Sequence, residues 1–135
     1  MKKLLLLLIS FGFLIAPSVK AEIVLYCQSE LETGFFKENG SWKVSEFHPQ
    51  RLTIKFNDDY SILYGLSTDF ICSQAYPHAP NSIACLDKYK SGRSFLFNKE
   101  KKRYVFSSIS LNGGYELNTP TSDTENLYAG RCKTF

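Results

Sequence analysis

Residues Arg51–Asn57 read Arg-Leu-Thr-Ile-Lys-Phe-Asn, and their alternation decides the fold class. Leu52, Ile54 and Phe56 point one way while Arg51, Thr53, Lys55 and Asn57 point the other, the period-two pattern of a strand with one face buried. Outward from this stretch the same grammar repeats. Asn57-Asp58-Asp59 turns the chain into Tyr60–Leu66. Asn39-Gly40 links Phe35–Glu38 to Ser41–Val44 as a hairpin, because both turn residues tolerate positive φ. Phe95–Phe97 and Arg103–Phe106 flank the polar tip Asn98–Lys102. Glu22–Cys27 (EIVLYC), a short strand after Leu111–Tyr115, and Leu127–Cys132 complete the set. The segment between Cys72 and Cys85 carries Pro77 and Pro80, which remove two donors, so it is expected to be an ordered loop. No sustained helical period occurs. The expectation is an all-β fold: a small antiparallel β-barrel or sandwich of about seven or eight strands.

Domain organisation follows from the start of the chain. Met1-Lys2-Lys3 precedes the apolar run Leu4–Ala16, and Val19-Lys20-Ala21 follows. A run this short cannot cross roughly 30 Å of hydrocarbon as a helix. Residues 1–21 therefore read as a secretory signal peptide and residues 22–135 as a single domain. The exported chain has no transmembrane anchor in this reading. Its destination is periplasmic or extracellular.

Export changes the charge argument. The chain carries 16 Lys+Arg against 13 Asp+Glu, a formal charge of +3. Lys2, Lys3 and Lys20 leave with the signal, so the exported domain is neutral overall. A neutral domain has no long-range field to attract a polyanion, which argues against nucleic acid as partner. Four cysteines remain, and an even number in a short exported chain reads as two disulfides. Three pairings are open; Cys27 with Cys132 and Cys72 with Cys85 is favoured, tying the first strand to the last and closing a local loop. The cysteines lack C-x-x-C spacing and stand apart from His48 and His78, so neither metal nor cofactor is expected.

Motifs of nucleophilic, metal-hydrolytic and nucleotide chemistry are missing: there is no G-x-S-x-G, H-E-x-x-H, P-loop or G-x-G-x-x-G. His48 and His78 flank prolines and read as exposed loop residues. Asp58 and Asp59 are adjacent and read as turn caps. Asn118–Asn126 reads as a polar loop of turn formers, and its acidic end Asp123–Asn126 offers oxygen atoms without the spacing of a calcium loop. Catalytic residues are therefore not assigned. Charge is uneven, however. Seven cations and one acid lie between Lys88 and Arg103, whereas Glu22–Glu46 holds five acids and two lysines. The hairpin tip Lys99, Lys101, Lys102 and Arg103 is the candidate contact for an anionic surface. Its competing role is to keep a strand edge soluble. Trp42 reads as a core residue beside Val44.

Several of these motifs together carry a resemblance. Tyr26-Cys27, Thr33-Gly34-Phe35 and Trp42 open the domain; Phe95-x-Phe97, Arg103-Tyr104-x-Phe106, Gly114-Tyr115 and Gly130-x-Cys132-x-x-Phe135 close it. The pattern resembles small exported bacterial proteins of unknown function, which implies a disulfide-linked β domain and adds no site. A weaker likeness is to periplasmic inhibitors of C-type lysozyme, which implies a small disulfide-bearing β-barrel. Their Ser/Gly-rich loop leading into Arg-Tyr is matched only by Ser91-Gly92-Arg93-Ser94, followed by Phe95. These readings favour a non-catalytic binding module for an envelope component or a protein partner, with a small envelope-directed hydrolase as the alternative.

Overall fold

Every regular element among the described residues, 21–109 and 124–134 of the computed structural model, is a β-strand. In chain order they are β1 (Ile23–Glu38), β2 (Ser41–Glu46), β3 (Arg51–Phe56), β4 (Ile62–Tyr64), β5 (Phe70–Tyr76), β6 (Ala79–Asp87), β7 (Arg93–Asn98), β8 (Arg103–Ser108) and β9 (Thr124–Thr134). All pairings are antiparallel. Neighbours run β1-β3-β4-β5-β6-β7-β8-β9, and β9 pairs back onto β1, so eight strands close into a barrel. β2 is the extra strand, laid along the far half of β1 (Thr33↔Glu46 through Glu38↔Ser41). The alternatives of barrel and sandwich thus resolve to a barrel.

An eight-stranded barrel has an interior that side chains can just fill. Here Leu25, Ile54, Phe56, Leu63, Phe70, Phe95 and Phe97 fill it. Phe95 stacks on Tyr104 with centroids 5.3 Å apart, and Phe56 meets Phe97 at 5.4 Å. The alternation in Arg51–Phe56 is realised as read: Ile54 and Phe56 are fully buried and Leu52 packs against them. Asn39 and Gly40 adopt φ of 50° and 80°, the mirror-image turn that hairpin twist favours.

Four expectations need correction. Glu22–Cys27 and Phe35–Glu38 are two ends of one 16-residue strand. The Cys72–Cys85 segment is a hairpin of β5 and β6 rather than a loop, because its prolines fall where no ladder donor is required. Pro77 begins the tight turn. Pro80 lies before Ser82, where pairing with β7 starts, and beside the irregularity between Gln74 and Tyr76. Trp42 is half-buried on β2, outside the barrel core, and Val44 is exposed. Thr124–Asn126, the end of the acidic polar segment, belongs to β9. The signal expected at residues 1–21 (all but Ala21), the turn and strand at Leu111–Tyr115, and Asp123 lie outside the described residues.

Both disulfides form in the favoured pairing, each between residues directly opposite on neighbouring strands. Cys27–Cys132 spans 105 positions and locks the seam where β9 closes onto β1; Cys72–Cys85 spans 13. Chain entropy makes the longer loop the stronger restraint, about 4.7 against about 3 kcal/mol. Paired Cys→Ala replacement at 27 and 132 is expected to lower unfolding free energy by the larger amount in chemical denaturation. Equal or reversed losses would show that seam closure is not what that bond secures.

Candidate functional site

Alternation in β1 holds through Leu25, Cys27 and Ser29, all inward and buried. Continued strictly, it would turn Leu31 inward and Glu32 outward. The ladder to β9 instead shifts between Ser29↔Gly130 and Leu31↔Ala129, leaving Glu30 as the extra residue of a bulge. Parity inverts there. Glu32 faces inward opposite Tyr128, and Leu31 stands 72% exposed outside. Gly130 permits this crossing: a Cβ on it would sit 2.1 Å from the Gln28 carbonyl oxygen.

The first product of the bulge is a polar cluster at one end of the barrel. Ser29 Oγ donates to Glu32 Oε1, and the Gln50 N–H lies 2.6 Å from both oxygens. Three buried atoms near this point have no hydrogen-bond partner: Glu32 Oε2, Tyr104 Oη and Asn126 Oδ1. Burial, followed by the Glu32 charge, pushes the Tyr104 phenol up to about 12. The Ser29 hydroxyl opposes that rise but does not meet Tyr104 Oη in hydrogen-bond geometry. Tyr128 is raised for the same two reasons, burial and then Glu32. The cluster sets one carboxylate among phenols and an amide, and no contact among the described residues brings a second acid opposite it.

A second network involves Asp87, whose side chain is wholly buried. Its carboxylate accepts from the Ser91 hydroxyl, the Tyr89 N–H at 2.7 Å and Arg93 Nη2 at 2.7 Å. Arg93 also reaches Ser67 and Thr68. The Ser91 hydrogen bond is the main cause that holds the Asp87 pKa down to about 2, against desolvation and with help from Tyr89 and Arg93. The arginine is bound on three sides within the fold, so this network reads as an architectural tie.

The second product of the bulge is on the outer surface. Register places Arg103 opposite Arg131, Arg131 opposite Gln28, and Gln28 opposite Arg51. Three cations thus share one row across β8, β9, β1 and β3. Lys133 sits in the next row, opposite Tyr26. Arg51, Arg131 and Lys133 line one cleft of about 660 Å³ together with Tyr26, Gln28 and Glu30. Glu30, presented by the bulge, pairs with Arg131 at 2.9 Å; both side chains are more than half exposed.

The hairpin-tip cations disperse. Lys99 Nζ lies over the Tyr60 ring at 5.3 Å and Lys102 Nζ over Phe97 at 5.9 Å, both capping aromatic rings. Lys101 is exposed on the loop, while Arg103 leaves the tip and joins the outer row. His48 and His78 lie exposed in the connections of different strand pairs; Gln50, whose N–H binds Glu32, meets His48 only by donating from its side-chain amide to the His48 backbone carbonyl. Arg51, Arg131 and Lys133 were not singled out by local charge density, because they are distant in sequence; only strand register aligns them. No protein family, curated protein or solved structure matches the chain.

Two titrations follow. Tyr104 carries a raised phenol pKa, so its contribution to stability is complete below pH 10, the ordinary value, and is lost as pH rises through about 12. Ultraviolet titration should lose one late-ionising phenol in Tyr104→Phe, and Glu32→Gln should bring that phenol down; an unchanged late phase in Tyr104→Phe refutes the assignment. Asp87 carries a lowered pKa, so its contribution is present above the ordinary 3.8 and is lost as pH falls through about 2. Ser91→Ala should move the acid edge of the melting profile to higher pH. An edge that stays put would exclude Ser91 as the main restraint.

Proposed function

We propose that the protein is a non-catalytic binding module of an exported compartment, engaging an anionic envelope surface through the outer face of β8, β9, β1 and β3. The observation that carries this reading is the cation row Arg103–Arg131–Arg51, with Lys133 beside it. Arg103 and Arg131 are direct cross-strand partners, and like charges so placed destabilise a sheet by roughly 0.2–1 kcal/mol. An anion drawn between them relieves that repulsion. Glu30 relieves it in part and holds Arg131 until a competing anion arrives. The two disulfides are consistent with an oxidising compartment, which fits export by the N-terminal signal.

The hydrolase alternative lacks comparable support. His48 and His78 stand apart, and Glu32 is held by Ser29 and Gln50 among tyrosines. Lysozyme inhibition, the narrower form implied by the weaker resemblance, draws on no feature of this face.

The test is co-sedimentation of the disulfide-bonded protein with phosphatidylglycerol and with phosphatidylcholine vesicles. Binding should favour the anionic vesicles and weaken with salt. Each basic residue near an anionic surface is worth about 1 kcal/mol, so neutralising Arg51, Arg103 and Arg131 with Gln should cost roughly a hundredfold. Glu30→Gln should tighten binding by freeing Arg131. Equal binding to both vesicles, or indifference to the triple change, would exclude the reading.

A further inference from the structure

One row along from the cations, the outer face turns apolar. Register sets Ala84, Leu96, Val105, Ala129 and Leu31 side by side across β6, β7, β8, β9 and β1. Each stands two residues from its strand's member of the polar row Ser82–Asn98–Arg103–Arg131–Gln28, except on β1, where the bulge intervenes. Two residues of strand are about 6.7 Å, so the two rows run parallel within one small molecule's reach. Leu31, Leu96 and Val105 are 72%, 42% and 37% exposed, and Tyr76 beside them is 63% exposed.

The apolar row is a groove and not a flat patch. It encloses about 350 Å³, and Leu31, Leu96, Val105 and Tyr76 line it with Arg103 and Glu30. That volume lies at the lower end of the range for small-molecule sites, roughly 300–1,000 Å³. Glu30 lines both this groove and the cationic cleft, so the two are contiguous. Arg103 links them by standing at the groove's rim and in the cation row.

We infer that this face binds an anionic amphiphile: one lipid molecule whose alkyl chain lies along Leu31, Val105 and Leu96 while its phosphate sits among Arg103, Arg131 and Arg51. The inference rests on the anionic-surface reading above and names its ligand class. Charge complementarity selects the head, since the groove's cationic border at Arg103 matches a phosphate, while its lining is mainly apolar with Ser82 and Asn98 at one side. A soluble polyanion would use the cations and leave the groove uncovered; an uncharged acyl chain would use the groove and leave Arg103 opposite Arg131 unrelieved. An anionic amphiphile satisfies both rows at once. The bulge is the device that joins them, because it presents Leu31 to the groove and Glu30 to Arg131 in consecutive residues.

Isothermal titration with hexyl, octyl and decyl phosphate below their micelle concentrations, against inorganic phosphate, tests this. Affinity should rise along the series, by at most about fourfold for each methylene that leaves water. Leu96→Asp and Leu31→Ser should flatten the chain-length dependence, whereas Arg103→Gln with Arg131→Gln should weaken every alkyl phosphate alike. Leu31 is so exposed that its change leaves the core intact, which guards against a folding artefact at Leu96. Affinity that ignores chain length overturns the inference while preserving anionic-vesicle binding as a separate result. Loss of the vesicle preference itself would bring down the reading beneath it. A dimer that Leu96→Asp splits in sedimentation would assign the groove to a second copy of the chain, and so would also overturn it.

Discussion

A single inserted residue on β1 governs what this barrel presents to its surroundings. Strand geometry fixes side-chain direction with a period of two, and β1 must run past both the barrel seam and the β2 extension. Without the bulge at Glu30, a charged residue at position 32 would point to water and Leu31 would enter the interior. With it, Glu32 turns inward, half-buried against Ser29 and the Gln50 amide, and Leu31 is left outside. Neither outcome is locally favourable. A carboxylate beside two tyrosines adds to the rise that burial already imposes on their pKa values, and exposing a leucine forfeits its transfer energy. The fold tolerates both because the seam is secured elsewhere, by the long β1–β9 ladder and by Cys27–Cys132.

The interior leaves no room for a ligand inside the barrel. Eight strands leave room for side chains and little else, and phenylalanines from β3, β5 and β7 occupy that room with rings about 5–6 Å apart. Polar groups are confined to the barrel's ends. Asp87 is tied by Ser91, Tyr89 and Arg93, and Glu32 by Ser29 and Gln50. The interior is thus a packed core, which is why the proposed contact is placed on the outer face.

Much of this was legible in the sequence, for identifiable reasons. The alternation at Arg51–Phe56, the Asn39-Gly40 turn and the hairpin around Asn98–Lys102 are local signals, and each appears as a strand or turn where read. The disulfide pairing followed from placing one cysteine near each end of the domain. The misreadings have equally specific causes. Pro77 and Pro80 suggested a loop because proline removes a donor, but a turn and a strand end require none there. Trp42 suggested core because large rings usually are, yet its strand lies outside the barrel. The bulge left only a faint mark: Leu31 shares the parity of Leu25, Cys27 and Ser29, so simple alternation gives the wrong face. Arg51, Arg103 and Arg131 are far apart in the chain, and nothing short of register reveals that they are neighbours.

Closure of the barrel also decides between two meanings of exposed cations. Lysines and arginines commonly protect a free sheet edge from pairing with another chain. Among the described strands of this sheet, unpaired edge belongs to β2, which is short and carries Lys43 and Glu46, and to the start of β3, where β4 pairs only Lys55 and Phe56. β8, β9 and β1 have partners on both sides, so Arg103 and Arg131 have no edge to protect, whereas Arg51 stands on β3 ahead of the two residues that β4 pairs. Their alignment costs repulsion in the free protein, and two of them face each other directly across one ladder. The Arg103–Arg131 pair has no edge-protecting role to explain it. It gains a physical rationale when an opposite charge lies across it, and the apolar row immediately beside it extends that rationale from a charge to a molecule with a tail.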